Sequence, residues 1–206
     1  MKLKVLSLSD CEQVRQWRNE QLDSLRTSFI LTLEQQVRFY NEIICNRQAN
    51  ARYWGIWEEV KTKATECCMD DDVVRFGREK EIEVFKLIGM CGLENIQLEN
   101  RNAEISLIFN PEYPMDKYGE EALILLLHEG FLNINLENIC AEIYLCNPYY
   151  EFWMEQVYKY KCKTATLPKR KYLNGKYYDG VYINFNKGAY NVKNENTITE
   201  SAGQFD

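Results

Sequence analysis

The apolar and polar positions of the 206-residue chain change period several times, and each change marks an expected element. Residues 2–8 mix lysine with apolar side chains and predict a short strand. Ser9-Asp10-Cys11-Glu12 then has the S-x-x-E form of a capping box and predicts a helix with Val14 and Trp17 on one face. Thr32 and Gln35 repeat the signal as a T-x-x-Q box, and Gln36, Val37, Tyr40, Ile43 and Ile44 follow at helical spacing. Residues 52–57 and 84–91 alternate and predict two strands, which flank a polar insertion at 58–83 expected to be a hairpin tip or loop.

Period two continues through 93–98 and 103–109, with Glu99-Asn100-Arg101-Asn102 as the turn between them. A helix is expected over 119–132, because its middle, Ala122-Leu123-Ile124-Leu125-Leu126-Leu127, is apolar on every side and suits packing into a sheet. Residues 139–145 predict a strand, and 148–157 a helix with Pro148 in its first turn. The Asn174-Gly175 turn signal introduces an alternating strand at 176–185. Apolar content falls away beyond Lys187, so 187–206 is expected to be a polar, disordered tail. The order of elements gives a mixed α/β or α+β domain over 1–186. Its parallel pairing is expected where strand, helix and strand follow in succession, between residues 103 and 145.

Composition narrows the function classes. A hydrophobic fraction of 46% with 27% charged residues fits one globular domain. The net charge of −6 disfavours general nucleic-acid binding, which rests on many lysine and arginine contacts. The eight cysteines lie mostly in apolar runs with no CxxC, and His128 is the single histidine. Buried thiols are therefore expected, with no metal and no zinc site. Cys67-Cys68-Met69-Asp70-Asp71-Asp72 reads as part of a solvated insertion, since adjacent cysteines on an extended chain point apart. No apolar run approaches the length of a membrane span, and the expectation is a soluble, cytoplasmic protein without membrane association. The charge is unevenly spread. Lys159, Lys161, Lys163, Lys169, Arg170, Lys171 and Lys176 form a basic band without Asp or Glu, leaving −6 − 7 = −13 for the rest of the chain. The band serves either to steer an anionic ligand or as a solvated connector.

Residues 103–122 form a strand, a tight loop and a helix start, a junction that points backbone N–H groups and a positive dipole end into a cleft. Around it, several fragments stand in a consistent order. They are Trp17-Arg18-Asn19, Tyr53-Trp54-Gly55-Ile56, Ile88-Gly89 with Gly92-Leu93, Ala103-Glu104-Ile105, Asn110-Pro111-Glu112-Tyr113, Tyr118-Gly119-Glu120-Glu121-Ala122, Gly130-Phe131, residues 133–136, and Asn147. On these fragments, over roughly 1–186, the chain resembles the GNAT family of N-acetyltransferases, in particular the branch like ribosomal-protein alanine acetyltransferases.

The resemblance implies a GNAT-like fold, with a mostly antiparallel sheet, a splayed parallel strand pair and about four helices. It also implies direct transfer of an acetyl group from acetyl-CoA to a small-molecule or peptide amine, without a metal. Cofactor contacts would come from the main chain of Leu107 and Phe109, from Lys117, Tyr118, Gly119 and Glu120 at the pyrophosphate loop, and from Asn147. A base is expected, because an alkyl amine of pKa near 10.4 is protonated at neutral pH; Glu104 is the first candidate and Glu142 the second. Acceptor binding would involve Arg18, Asn19, Arg26 and Phe29 at the turn between the first two helices, with Tyr178 and Asp179 in the last hairpin.

The chain departs from the family at the pyrophosphate loop, usually Arg/Gln-x-x-Gly-x-Gly/Ala. Only Gly119 keeps its position, with Pro114 at the first place and Lys117 at the central glycine. Trp153 or Met154 stands where a tyrosine commonly protonates the leaving thiolate, so no general acid is assigned. Those departures keep open a catalytically silent binding module and an acyltransferase acting on a nucleotide sugar or modified nucleobase. A homodimer is also compatible with the reading.

Overall fold

The computed structural model describes residues 1–70 and 73–191, without the side chains of 64–80. Among the described residues, seven strands form one sheet: β1 (Lys2–Lys4), β2 (Arg52–Asp70), β3 (Val73–Gln97), β4 (Asn102–Phe109), β5 (Asn138–Tyr144), β6 (Lys163–Leu173) and β7 (Lys176–Asn186), in spatial order β1-β2-β3-β4-β5-β7-β6. Every pairing is antiparallel except β4 with β5. The helices are α1 (Leu8–Glu20), α2 (Leu33–Phe39), α3 (Met115–His128) and α4 (Tyr150–Lys159).

Helix starts follow the local chemistry with instructive shifts. The box that caps α1 is Ser7 with Asp10, two residues ahead of the expected Ser9 and Glu12, so β1 ends at Lys4 and Leu6 turns into the core. The Thr32–Gln35 box caps α2 as expected. Helix α3 begins at Met115, four residues before Gly119, and α4 begins at Tyr150 rather than Pro148. Residues 58–70 and 73–83 extend β2 and β3 into a long antiparallel ribbon, with Glu58 opposite Lys86, Lys61 opposite Glu83 and Lys63 opposite Glu81. The Cys67–Asp72 segment lies outside the described side chains, and Asp71 and Asp72 lie outside the described residues.

The sheet buries both faces. On one, Leu123, Leu126, Leu127 and Phe131 pack on Ile139, Ile183 and Phe185; on the other, Cys11 and Val14 of α1 cover Leu87, Met90 and Ile108. The unbroken apolar run in α3 reflects its seat against the sheet. The packed chain continues past residue 186: 187–191 make a helical turn and Tyr190 is buried, its ring 5.2 Å from that of Phe131. Residues 192–206 of the expected tail lie outside the described residues. Among the described residues, no helix is long and apolar enough to cross a membrane.

Candidate functional site

The crossover through α3 makes β4 and β5 parallel, but they pair only at Asn102 with Asn138, Ala103 with Ile139 and Glu104 with Cys140. Beyond Glu104 the strands part. The gap opens a cleft of about 310 Å³, lined by Glu94 of β3, residues 105–109 of β4, 141–144 of β5, Met115, Asn147, Tyr149, Trp153, Arg18 of α1, and Gln21 and 24–27 of the α1–α2 connection.

The register determines what this gap offers. The Asn110 amide donates to the Ile88 carbonyl at 2.8 Å, which makes the even-numbered residues of β4 the ones bonded to β3. Leu107 and Phe109 therefore turn their N–H and C=O groups toward the gap. Similarly, the Leu145 amide donates to Asp179 O at 3.0 Å, so the odd-numbered residues of β5 bond to β7 and Glu142 turns its backbone toward the gap. Backbone groups left unpaired in a buried wall demand partners. One is internal: the Gln21 side-chain amide donates to Phe109 O at 2.7 Å. The remaining groups suit an extended ligand with amides of its own, as an additional strand would have.

At one end of the gap stands the start of α3. Pro114 is its N-cap and accepts from the Lys117 and Tyr118 amides at 3.1 and 3.2 Å. The amides of Met115 and Asp116, ahead of these, have no helical carbonyl behind them. The stretch 114–119, expected as a loop, is thus the opening of a helix, and the residues expected in it disperse. Gly119 is buried, and a Cβ there would meet Met115 Cγ at 2.7 Å and Phe152 Cζ at 2.8 Å, so this glycine lets α3 approach α4. Glu120 pairs with Lys159 of α4 at 2.7 Å. Tyr118 packs on Tyr113 with ring centroids 5.2 Å apart, and Lys117 and Asp116 are exposed.

The opposite end is rich in charge. Glu94 and Glu104 are direct partners across β3 and β4, so both side chains leave the same face of the sheet. Glu142 shares that face, two residues beyond Cys140, the partner of Glu104. Each carboxylate has a different companion. Tyr53 Oη donates to Glu94, Arg26 Nη2 lies 2.7 Å from Glu104 Oε2, and Arg170 holds Glu142 with two bonds of 3.0 Å. The Arg170 guanidinium keeps the Glu142 carboxyl below the usual carboxylate range. Burial, reinforced by Glu142, raises the Tyr144 phenol in the cleft wall.

Arg18, Asn19 and Phe29 come together in the α1–α2 connection, where they shape the loop. Arg18 donates to Phe29 O at 2.8 Å and to Thr27 O at 3.3 Å, and its guanidinium lies 5.2 Å from the half-exposed Phe29 ring. Asn19 both donates to and accepts from the Leu31 backbone at 2.9 Å. Asn147 lines the cleft and donates to Ser24 O at 3.0 Å. In the last hairpin, Asp179 accepts from the Lys169 amide at 2.8 Å, fixing a bulge in β6, while Tyr178 lies under the Lys176 ammonium. Trp153 is buried in the cleft floor; Tyr144 and Tyr149 are the tyrosines lining the cleft.

Sequence reasoning missed Gln21, Glu94, Arg170 and Lys171. A period-two reading of β3 places Glu94 on the face of Gly92, yet nothing local distinguishes it from a solvated strand residue. The basic band does not act as a unit. Lys163, Lys169 and Lys176 are exposed, Arg170 is spent on Glu142, and Lys171 is buried.

The family model described as acetyltransferase (GNAT) domain matches residues 2–149. Among solved structures, the spermidine N-acetyltransferase SpeG of Vibrio cholerae in complex with CoA and spermine aligns over 92% of this chain and 96% of its own, with TM-score 0.67 and 17% identity. A point mutant of that enzyme aligns over 92% and 97% with TM-score 0.66 and 18% identity. Further mutant forms reach TM-score 0.68 over 94% and 97%, again at 18% identity. At these identities the likeness is one of fold. No curated protein matches the chain.

Proposed function

Since the chain belongs to the GNAT acetyltransferase family and is an acetyl-CoA-dependent N-acetyltransferase, we propose that its acceptor is a small cationic amine that binds beside Glu94 and Glu104. The observation that carries this reading is the like-charged pair itself. Two carboxylates directly opposite on neighbouring strands repel; Arg26 compensates Glu104, whereas Glu94, which lines the cleft, is held by the neutral Tyr53 hydroxyl and gains from a cation placed beside it. The complex of the Vibrio cholerae enzyme with CoA and spermine makes a polyamine a natural first probe.

In this reading the pantetheine arm lies in the gap against the backbone of Leu107 and Glu142, with the phosphates toward Met115 and Asp116. The ammonium of the acceptor loses its proton to the Glu94/Glu104 pair, directly or through one water. The neutral nitrogen then attacks the thioester carbonyl; the C–N bond forms, the C–S bond breaks, CoA leaves as a thiolate of pKa near 8.5, and the proton the nitrogen sheds on becoming an amide passes to that thiolate or to water. Asn147 and Gln21 keep the wall open by tying the α1–α2 connection to the strand ends. Thiol release from acetyl-CoA tests the proposal. Turnover with spermine that falls in Glu104→Gln and Glu94→Gln supports it. Turnover only with a peptide carrying a free amino terminus would favour the acceptor implied by the resemblance to ribosomal-protein alanine acetyltransferases.

A further inference from the structure

Lys171 stands on β6, an edge strand of the sheet, where lysines ordinarily reach water and discourage further strand pairing. This one turns inward and is only 4% exposed. Its ammonium donates to Leu25 O at 2.6 Å, Arg26 O at 3.4 Å and Ser28 Oγ at 2.6 Å, all neutral acceptors. Burying a cation against neutral groups is costly, and the burial lowers the Lys171 pKa. The charged and titratable groups that face it are Asp23 of the α1–α2 connection, Tyr144 of β5 with its ring centroid 5.7 Å away, and Cys146 in the turn after β5. The three acceptors belong to the segment that carries Arg26 to Glu104 and whose residues 24–27 line the cleft. The bulge that breaks the β6–β7 register between Leu167 and Lys171 sets the place of both Arg170 and Lys171.

We propose that Lys171 is a positioning residue for the acceptor. Its ammonium fixes the backbone of residues 25–28 over the cleft mouth, so that Arg26 rests on Glu104 and the incoming amine meets a preformed wall. The proposal rests on the acetyl-transfer reading of the cleft and adds the device that sets its acceptor side. A strap of this kind acts on acceptor binding and leaves the cofactor side, built from strand backbone, unchanged.

The test is steady-state kinetics by thiol release, with acetyl-CoA and with spermine or a free-amino-terminus peptide, whichever the unaltered protein acetylates, alongside thermal unfolding. Lys171→Met keeps the apolar stem and removes the donors. It is expected to raise the acceptor KM about tenfold and to leave the acetyl-CoA KM within about twofold. Lys171→Arg, which can still donate to carbonyls, is expected to recover most of the loss. Ser28→Ala removes one of the three partners and is expected to raise the acceptor KM by about twofold to threefold, which keeps the proposal testable should Lys171→Met not fold. An unchanged acceptor KM in Lys171→Met, an equal rise in both KM values, or no recovery in Lys171→Arg would overturn it. Absence of turnover by the unaltered protein with either amine would instead defeat the acceptor reading on which it rests.

Discussion

The two walls of the cleft are built by different means. The gap wall is made of main-chain groups on β4 and β5 and of the α3 start, with side chains that serve chiefly to fill the core behind it. The facing wall, on which we propose the acceptor binds, is made of side-chain ties between segments far apart in sequence: Arg26 to Glu104, Asn147 to Ser24, Gln21 to Phe109, and Lys171 to Leu25 and Ser28. Backbone recognition tolerates substitution so long as the strands stay parted. A wall of side-chain ties loses its geometry when one partner goes. That contrast accounts for a chain that departs from the usual pyrophosphate-loop pattern and still builds the gap.

Substitutions can test the contrast from its strongest point downward. Glu104→Gln removes the proton acceptor we propose together with the partner of Arg26, and is expected to lower kcat about 100-fold or more with little change in the acetyl-CoA KM; an unchanged rate and pH profile would take Glu104 out of the mechanism. Gly119→Val acts at the other wall, where the new side chain has to displace Met115 and Phe152. Overpacking of this kind costs about 1–3 kcal/mol and is expected to lower Tm by roughly 2–10 °C in a thermal melt.

Arg170→Gln gives a smaller effect with a defined pH dependence. Arg170 depresses the Glu142 carboxyl in the folded state, so the pair stabilises the fold above the unfolded glutamate pKa of about 4.3, and that stabilisation is lost as pH falls through the lower folded value. The Tm difference between the unaltered protein and Arg170→Gln is expected to be largest near neutral pH and to close in acid. Melts from pH 7 to pH 3 check the sign. Leu107→Met should matter least. The backbone of residue 107 faces the gap whatever its side chain, and the acetyl-CoA KM is expected to stay within about twofold. A large rise would show that side chains, too, define the gap wall.

Much of the fold was legible because its signals are local. The Thr32–Gln35 box, the 99–102 turn and the apolar run of α3 each place their element without help from the rest of the chain. Boundaries slipped where two signals compete. Both Ser7 and Ser9 have an acid three residues on; Ser7 caps α1, with Asp10 returning the bond to its amide, while the Glu12 carboxylate is held by Arg15. The start of α3 was placed late because Pro114 and Gly119 both read as loop residues; proline serves as N-cap here, and glycine sits where α4 comes close. The basic band read as one feature because charge is additive along a sequence. On a bulged edge strand its members face different surroundings.

By itself the sequence determined most of the elements and the parallel crossover from β4 to β5, since periodicity, capping and turn chemistry act over a few residues; Glu104 came from the family resemblance, and strand β6 carried no local signal. Only the tertiary structure decided that Glu94 faces Glu104, that Arg170 is committed to Glu142, and that Lys171 is buried against the α1–α2 connection. The reason is physical: register, strand parting and the desolvation of a charge depend on which distant segments meet, and no local pattern carries that information.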